Sequence, residues 1–470
     1  MTDTVHDRLP VLVTGATGYI GGLLVPVLLE RGWRVRVLTR SAERLRRREW
    51  ADSVEIVEGD AGAPADLDRA MSGVGVAYYL LHSMDGRGGF VERDRAMAGA
   101  FADAAARAEV ARIVYLSGLH PAGQLSEHLA SRVEVGDILL ASPVETVVLQ
   151  AGVVLGSGSA SFDMLRHLTE RLPAMFGPKW LRNRIQPIAI DDVLHYLAGA
   201  AEAPGHPNRT FDVGGPDVLT YAEMIKGYAR VAGLGTRAVA TVPVLTPSLA
   251  SYWVGLVTPV RAGIARPLVG SLVHEAVVSE NDILALIGAP PAGRTGFDEA
   301  VRRAIRDLDP TRWRRTAVPV VAATIACAGV GSILTNPNSA WYRGLRTPDW
   351  QPGPAAFPVV WTTLFTAIAL AASAAIAELE EAGHKDEADG IKAAYLANLG
   401  LNTAWSGIFF RAHRLGAATV TAGLLAASAA DLARRVAPAG KGKAAVFGAY
   451  ATWSAFATVL TWAVRSRNPR

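Results

Sequence analysis

Followed as apolar and polar positions, the chain changes character once, near Arg315. Before that point, short apolar runs alternate with longer segments of helical spacing. Pro10–Thr14 (PVLVT) is a continuous apolar run of the kind a parallel strand needs when both of its faces are buried. Gly15-Ala-Thr-Gly18-Tyr-Ile-Gly21 follows at once, Tyr19–Arg31 has helical apolar spacing, and Trp33–Thr39 (WRVRVLT) alternates as a second strand. Val54–Val57, Ala77–Leu81 and Ile113–Ser117 supply further strands, with a helix over Val91–Ala108 between the last two. Strands alternating with helices predict an α/β Rossmann fold built on a parallel sheet.

After Arg315 the pattern becomes five long apolar stretches: Ala317–Leu334, Phe357–Ala377, Ile391–Phe410, Ala417–Ala433 and Ala444–Val464. Each approaches or reaches the roughly 20 residues that cross a bilayer. The fourth is short and rich in alanine and serine, which suits close helix packing. A soluble bundle would need a polar face recurring every turn, and the second and fifth stretches lack one. Because backbone groups in lipid must be satisfied internally, the expected architecture is an all-α five-helix transmembrane bundle.

Between these halves lies Ala238–Val260, a run without charge. Its prolines, Pro243, Pro247 and Pro259, argue against a regular spanning helix and for a hydrophobic lid or packing surface that includes Tyr252 and Trp253. Glu299–Trp313 reads as an amphipathic helix and linker leading to the membrane. The expected organisation is a dinucleotide domain over 8–235, a substrate-lobe extension and linker over 236–310, and a membrane domain over 316–468.

Composition sharpens this division. Half of the 470 residues are hydrophobic and 19% are charged, with a net charge of +4. The basic residues sit beside apolar segments and form no stripe with interleaved aromatics, so nucleic acid is not an expected partner. The single cysteine, Cys327, excludes an internal disulfide and suits a reducing compartment or a buried position. Met1–Pro10 is polar, and the first apolar run is broken by Gly15, Gly18, Gly21 and Gly22. No secretory leader is expected, and the front of the chain is expected in the cytosol.

The candidate chemistry begins at the glycines. They let the backbone approach a pyrophosphate closely, and the helix that follows offers unpaired N–H groups and a favourable dipole. An NAD-specific site places an acid about 20 residues further on, to bind the ribose 2′-hydroxyl. Here the sequence is Thr39-Arg40-Ser41, so Arg40 is expected to pair with a 2′-phosphate, and NADP(H) is the expected cofactor. Gly59-Asp60 follows the third strand, where an acid meets the adenine.

The spacing Gly15-x-x-Gly18-x-x-Gly21, with Asp60 and Ser117 following, resembles the extended and atypical short-chain dehydrogenase/reductases. More narrowly, it resembles their NmrA-related, NAD(P)H-binding branch. That likeness covers about residues 8–308 and rests on Ala77-Tyr-Tyr-Leu-Leu-His-Ser-Met84, Ser126–Arg132, Gly156–Phe162, Gln186–Asp192 and Val213-Gly-Gly-Pro-Asp217. It implies cofactor contacts at Gly15, Thr17, Gly18, Tyr19, Ile20, Gly21, Arg40, Asp60, Leu80 and Leu81. Catalysis in the family uses a serine and a Tyr-x-x-x-Lys pair. Ser117 matches the serine, but His128-Leu-Ala-Ser-Arg132 fills the place of the pair. Arg132 would hold the ribose and His128 would transfer the proton, since imidazole titrates near neutrality. The substitution is equally compatible with a cofactor-binding fold that has lost its chemistry.

In the membrane half, Arg302, Arg303, Arg306, Arg312, Arg314 and Arg315 precede the first stretch, and Arg434, Arg435, Lys441 and Lys443 lie between the fourth and fifth. This excess predicts a multi-pass cell-membrane protein with the Rossmann domain cytoplasmic and the C-terminus outside. Seven of the eleven tryptophans fall between Trp313 and Trp462, so the aromatic pattern belongs mainly to this half. Trp341-Tyr-Arg-Gly-Leu-Arg-Thr-Pro-Asp-Trp350, Phe357-Pro-Val-Val-Trp361, Leu401-Asn-Thr-Ala-Trp405 and Trp453-Ser-Ala-Phe-Ala457 resemble the TspO family of tryptophan-rich sensory and translocator proteins.

The resemblance to TspO proteins implies a pocket for tetrapyrroles, sterols and other planar apolar ligands. Tyr342 and Trp350 would belong to its cap, and Trp361, Asn402, Trp405 and Trp453 to its lining. Flat aromatic rings suit a planar ligand, and an asparagine supplies one polar handle. No metal-ligand spacing occurs in the helices. Pairing of two copies through this domain is a further expectation.

Two readings follow. In one, the chain is an NADPH-dependent oxidoreductase acting on a hydrophobic substrate of porphyrin, sterol, quinone or isoprenoid type. In the other, it is a sensor that couples NADP(H) redox state to ligand binding without turnover. Simple tethering of an unrelated enzyme is a third arrangement, and it predicts no coupling.

Overall fold

The computed structural model describes residues 9–82, 89–121, 123, 125–242, 257–260 and 262–469. Over these the chain forms two compact units, one ending at Asp309 and the other beginning at Pro310.

The first unit is built on a seven-stranded sheet. Its strands are β1 (Val11–Thr14), β2 (Val35–Thr39), β3 (Glu55–Glu58), β4 (Val76–Tyr79), β5 (Arg112–Gly118), β6 (Glu145–Ala151) and the strand Arg209–Val213. Reading from that last strand, the order is β6, β5, β4, β1, β2, β3, and every pairing is parallel. Helices α1 (Tyr19–Glu30), α2 (Ala42–Arg46), α3 (Pro64–Met71), α4 (Phe90–Arg107) and α5 (Glu127–Leu140) make the crossovers.

The apolar run in β1 is explained by burial on both faces. Val11 and Val13 enter one hydrophobic cluster, with Val37, Val114 and Val147. Leu12, pointing the other way, enters a second with Leu38, Ile113 and Tyr115. Each such side chain, fully removed from water, contributes about 1.5–3 kcal/mol.

The remaining segments of this unit are laced together by buried polar side chains. Gln186 donates to the Gly215 carbonyl at 2.7 Å and accepts from the Val278 amide at 3.1 Å. Asp192 accepts from the backbone and hydroxyl of Thr295, and Asp217 from the Phe297 amide. Two of the segments that carry the family likeness are thus buttresses of the fold.

Of Ala238–Val260, the part described includes a strand, Ala238–Val242, paired in parallel with Ala174–Pro178. Tyr252 and Trp253 lie outside the described residues. The amphipathic helix and the linker expected over Glu299–Trp313 are both present, with the helix starting two residues early. It spans Phe297–Ala304, and the next long helix already starts at Arg312. Pro310, which fixes its own φ and lacks an N–H, separates the two.

The second unit consists mainly of five long helices: Arg312–Leu334, Ala356–Glu381, Lys385–Phe410, Leu415–Val436 and Lys441–Arg467. Among the described residues, four helices are long and apolar enough to cross a membrane. The third of the five falls short, because it opens on Lys385, Asp386 and Glu387 and carries Asn398 and Asn402 inside.

Alanines allow close approach in the core, notably Ala372 and Ala375 on the second helix, Ala388 on the third and Ala429 on the fourth. Large apolar side chains instead point outward, among them Ile325, Ile333, Val359, Leu396, Val420 and Val459. This is the inside-out arrangement of a bundle solvated by lipid.

The C-terminal end of the second helix gathers its neighbours electrostatically. Lys443 reaches Glu378 at 2.7 Å, Lys392 reaches Glu380 at 2.7 Å, and Arg312 lies 3.8 Å from Glu381.

Candidate functional site

The sheet order places β1 between β2 and β4, which is the topological switch point where such folds bind ligands beyond the strand C-termini. Thr14 closes this junction. Its hydroxyl donates to the Tyr78 carbonyl at 2.8 Å and accepts from the Leu80 amide at 3.2 Å.

Gly15 then turns with φ of 74°, and a Cβ there would stand 2.4 Å from the Leu80 carbonyl oxygen. A Cβ on Gly21 would stand 2.6 Å from the Gly15 oxygen, so the helix packs directly against the turn. No side chain caps α1 at Gly18, which leaves its first N–H groups to an anionic ligand. Thr17 and Gly18 are exposed at the turn, and Ile20, Leu80 and Leu81 are half-buried around it. These features fit a dinucleotide pyrophosphate.

Tyr19 faces the loop after β6. A Cβ on Gly156 would lie 2.2 Å from its hydroxyl, which is buried without a hydrogen-bond partner. Burial, with Asp163 and Asp191 adding to it, pushes this phenol well above its usual range. Arg40 is exposed at the end of β2. Asp60 shapes the turn after β3, since its carboxylate accepts from the Gly62 amide at 2.9 Å and its own amide donates to Asp66 at 2.8 Å.

Ser117, next to last in β5, is 3% exposed, and its Oγ is buried without a partner. Helix α5 opens on the Ser126 cap, whose hydroxyl accepts from the Leu129 amide. This start puts His128 and Arg132 one turn apart, on the helix that follows β5. Arg132 donates from Nη2 to the Leu116 carbonyl at 2.5 Å, while its Nε is buried without a partner. Two buried polar atoms beside one strand end are thus left to serve a ligand if one binds.

Sequence reasoning missed two residues here. His82, just past β4, places Nε2 3.2 Å from Nδ1 of His128, and its own Nδ1 lies 3.4 Å from the Asp94 carboxylate. Asp94 is 3% exposed on α4. Burial drives the His128 pKa down to about 3, and His82 and Arg132 push the same way. Burial also lowers His82, against the pull of Asp94. A signal for both was present: His82 follows a parallel strand on its C-terminal side, and Asp94 stands in the stripe Ala98, Phe101, Ala102 that faces the core. Nearby, Gln150 Nε2 donates to Nε2 of His120 at 3.0 Å, so His120 carries its proton on Nδ1, toward the Pro121 carbonyl.

In the second unit the six expected pocket residues are spread over linked aromatic contacts. Trp350, 48% exposed, meets Phe456, which meets Trp453, which meets Phe357. Tyr342 meets Phe409 and Phe410, and Trp405 stacks on Phe409 at 5.2 Å. Trp361 meets Tyr450, whose hydroxyl donates to Asn398 at 3.0 Å and lies 3.5 Å from Asn402. The indole nitrogens of Trp405 and Trp453 are buried without a partner. A groove of about 330 Å³ lies between the first and third helices, lined by Ala323, Ala326, Cys327, Leu396, Leu399 and Gly400 among others, and none of the six residues lines it. Among the described residues, no group of histidine, cysteine and acid side chains is arranged for a metal.

Fold and site together define a nucleotide-binding Rossmann unit joined to a membrane-helix unit. Residues 15–142 match the model of an NAD(P)H-binding family, and residues 317–467 match that of the TspO/MBR family. The chain belongs to both families, one in each half.

Among relatives, a ceramide reductase of Caulobacter vibrioides is 30% identical over 233 residues, which cover 48% of this chain and 72% of that one. The translocator protein of Sus scrofa is 31% identical over 160 residues, covering 32% of this chain and 90% of that one. The solved triphenylmethane reductase of Citrobacter sp. shares the fold with a TM-score of 0.51 at 20% identity, over 63% of this chain and 99% of that one.

Proposed function

We propose that the chain is a membrane-bound, NADP(H)-dependent reductase of a hydrophobic carbonyl compound, of the ceramide-like lipid class. The observation that carries this is the pair of buried, unsatisfied atoms, Ser117 Oγ and Arg132 Nε, beside His128 at the C-terminal edge of a dinucleotide fold. The likeness to a ceramide reductase supports the substrate class, since that alignment is longer than the whole second unit and must enter the first.

When bound, a reduced nicotinamide supplies the hydride that forms the new C–H bond. The chain does the rest. Gly15–Gly21 receives the pyrophosphate, Arg40 receives the 2′-phosphate, and Leu80 and Leu81 flank the ring system. Asp60 lies toward the adenine. Arg132 orients the nicotinamide ribose, Ser117 donates to the substrate oxygen, and His128 gives that oxygen its proton.

In the membrane unit, Tyr342, Trp350, Trp361, Asn402, Trp405 and Trp453 hold a planar apolar ligand, with the indole N–H groups as donors. The unit resides in the cell membrane with the Rossmann unit cytoplasmic and the C-terminus outside.

The test uses full-length protein in detergent with NADPH and a ceramide-like lipid bearing a carbonyl group, followed at the nicotinamide absorbance band. Turnover is expected, and His128→Ala should lower kcat by about 100-fold or more. Unchanged turnover in His128→Ala removes His128 from the mechanism. Absence of turnover, combined with reciprocal effects of NADPH and porphyrin on each other's affinity, would replace this reading with the sensor.

A further inference from the structure

We propose that Asp94, His82 and His128 form a one-proton relay, in which Asp94 and His82 are positioning residues that set which ring nitrogen of His128 carries hydrogen. The inference rests on the reductase reading above, which assigns His128 alone.

The geometry constrains the hydrogens. We take Asp94 as an ionised carboxylate, which only accepts, so the His82 nitrogen that faces it at 3.4 Å, Nδ1, carries a proton. When His82 is neutral, its Nε2 is then a lone pair. Nδ1 of His128, 3.2 Å away, must donate to it, and Nε2 of His128 is left bare. The neutral pair therefore presents a base. When the pair gains one proton, the charge settles on His82, beside the carboxylate. His82 now donates from Nε2 to Nδ1 of His128, and Nε2 of His128 carries hydrogen. The charged pair presents an acid, although His128 itself stays neutral throughout. Its burial and the neighbouring Arg132 make that neutrality necessary, while Asp94 offers His82 the compensation that His128 lacks.

Reduction then balances. As the carbonyl carbon receives the hydride, its π pair moves to oxygen. That oxygen takes the proton from Nε2 of His128, Nδ1 of His128 takes the Nε2 proton of His82, and His82 becomes neutral. Alcohol oxidation runs the same path backwards from the neutral pair. One protonation step thus governs both directions with opposite sign: reduction rises as pH falls and oxidation rises as pH rises, about a shared midpoint.

Among the described residues, the charged groups acting on the pair are Asp94 from α4 and Arg132 from α5. Burial raises the phenols of Tyr79 on β4 and Tyr115 on β5, Asp94 adds to both, and Arg132 and Ser117 oppose it at Tyr115. Ser131 adds a hydroxyl 3.5 Å from the same carboxylate.

The test is nitrogen NMR of the imidazoles in cofactor-free, full-length protein in detergent. His82→Gln and His128→Gln assign the two signals among the ten histidines. On lowering pH, His128 should exchange its Nδ1–H form for the Nε2–H form without becoming charged, in step with charging of His82. Asp94→Asn should move that midpoint down by about one unit. NADPH fluorescence titration reports whether this variant is folded. If it is not, His82→Gln serves instead and should abolish the tautomer exchange of His128.

Two independent titrations near the ordinary histidine range, charging of His128 itself, or an unmoved midpoint in Asp94→Asn would each overturn the relay. Turnover without the tautomer exchange removes the relay and leaves the reductase. Tautomer exchange without turnover on any carbonyl-bearing lipid supports the relay and removes the reductase.

Discussion

At the scale of single residues, cofactor choice and the state of two imidazoles are the quantities to measure. On the proposed function Arg40 receives the 2′-phosphate, and a hydrogen bond to a charged group is worth about 1.5–3 kcal/mol. Arg40→Ala should therefore weaken NADPH by about 10- to 100-fold while leaving NADH unchanged, as read by fluorescence titration of both. Equal losses for both cofactors would place Arg40 outside the phosphate site.

His82 and His128 also make stability depend on pH. Histidines of the unfolded chain titrate near about 6.5, and both of these bind a proton less readily in the fold. Above that pH neither state is charged and nothing is lost. As pH falls through it, the unfolded chain takes up protons that the fold refuses, so stability declines. The thermal midpoint of the cofactor-free protein should be lower at pH 5 than at pH 7.5, and His128→Gln should narrow the gap. A gap unaltered in that variant would assign the loss to other groups.

Elements show where the sequence was legible. β1 was readable because burial on both faces leaves only apolar residues, and the glycines after it because Gly15 and Gly21 have no room for a Cβ. The Asp94–His82 contact was not, since it joins residues on separate elements and depends on how α4 packs, although each residue alone carried a clue. In Glu299–Trp313 spacing showed the helix and the linker but not where one gives way to the other, which is at Ala304.

One element is held by a contact that no pattern announces. Asn468, at the end of the fifth long helix, accepts from the Arg346 amide at 3.0 Å and donates to the Arg346 carbonyl at 3.0 Å, strapping the first loop of the membrane unit. Asn468→Ala removes two hydrogen bonds of about 1 kcal/mol each. Trypsin cleavage after Arg343 and Arg346 should then accelerate roughly 10-fold, the local opening these bonds oppose. An unchanged cleavage rate would show that the aromatic contacts of Trp341 and Tyr342 hold the loop by themselves.

For the molecule as a whole, the third long helix has a consequence for biosynthesis. It is too polar to enter lipid on hydropathy alone, and the phenol that satisfies Asn398 belongs to Tyr450, on the last helix to leave the ribosome. The translocon must therefore hold or hand over this helix before its asparagines have their final partner. An unsatisfied polar group in hydrocarbon is costly, so the delay favours its return to water. A chain ending at Gly440 should insert the third helix poorly, as mapped by glycosylation acceptors placed in the loops on either side of it. Expressing Lys441–Arg470 as a separate fragment should restore insertion, and Tyr450→Phe in that fragment should weaken the rescue. Full insertion of the truncated chain would mean that the earlier helices suffice. The order in which the bundle is made, and not only its final packing, is thus written into one asparagine and one tyrosine.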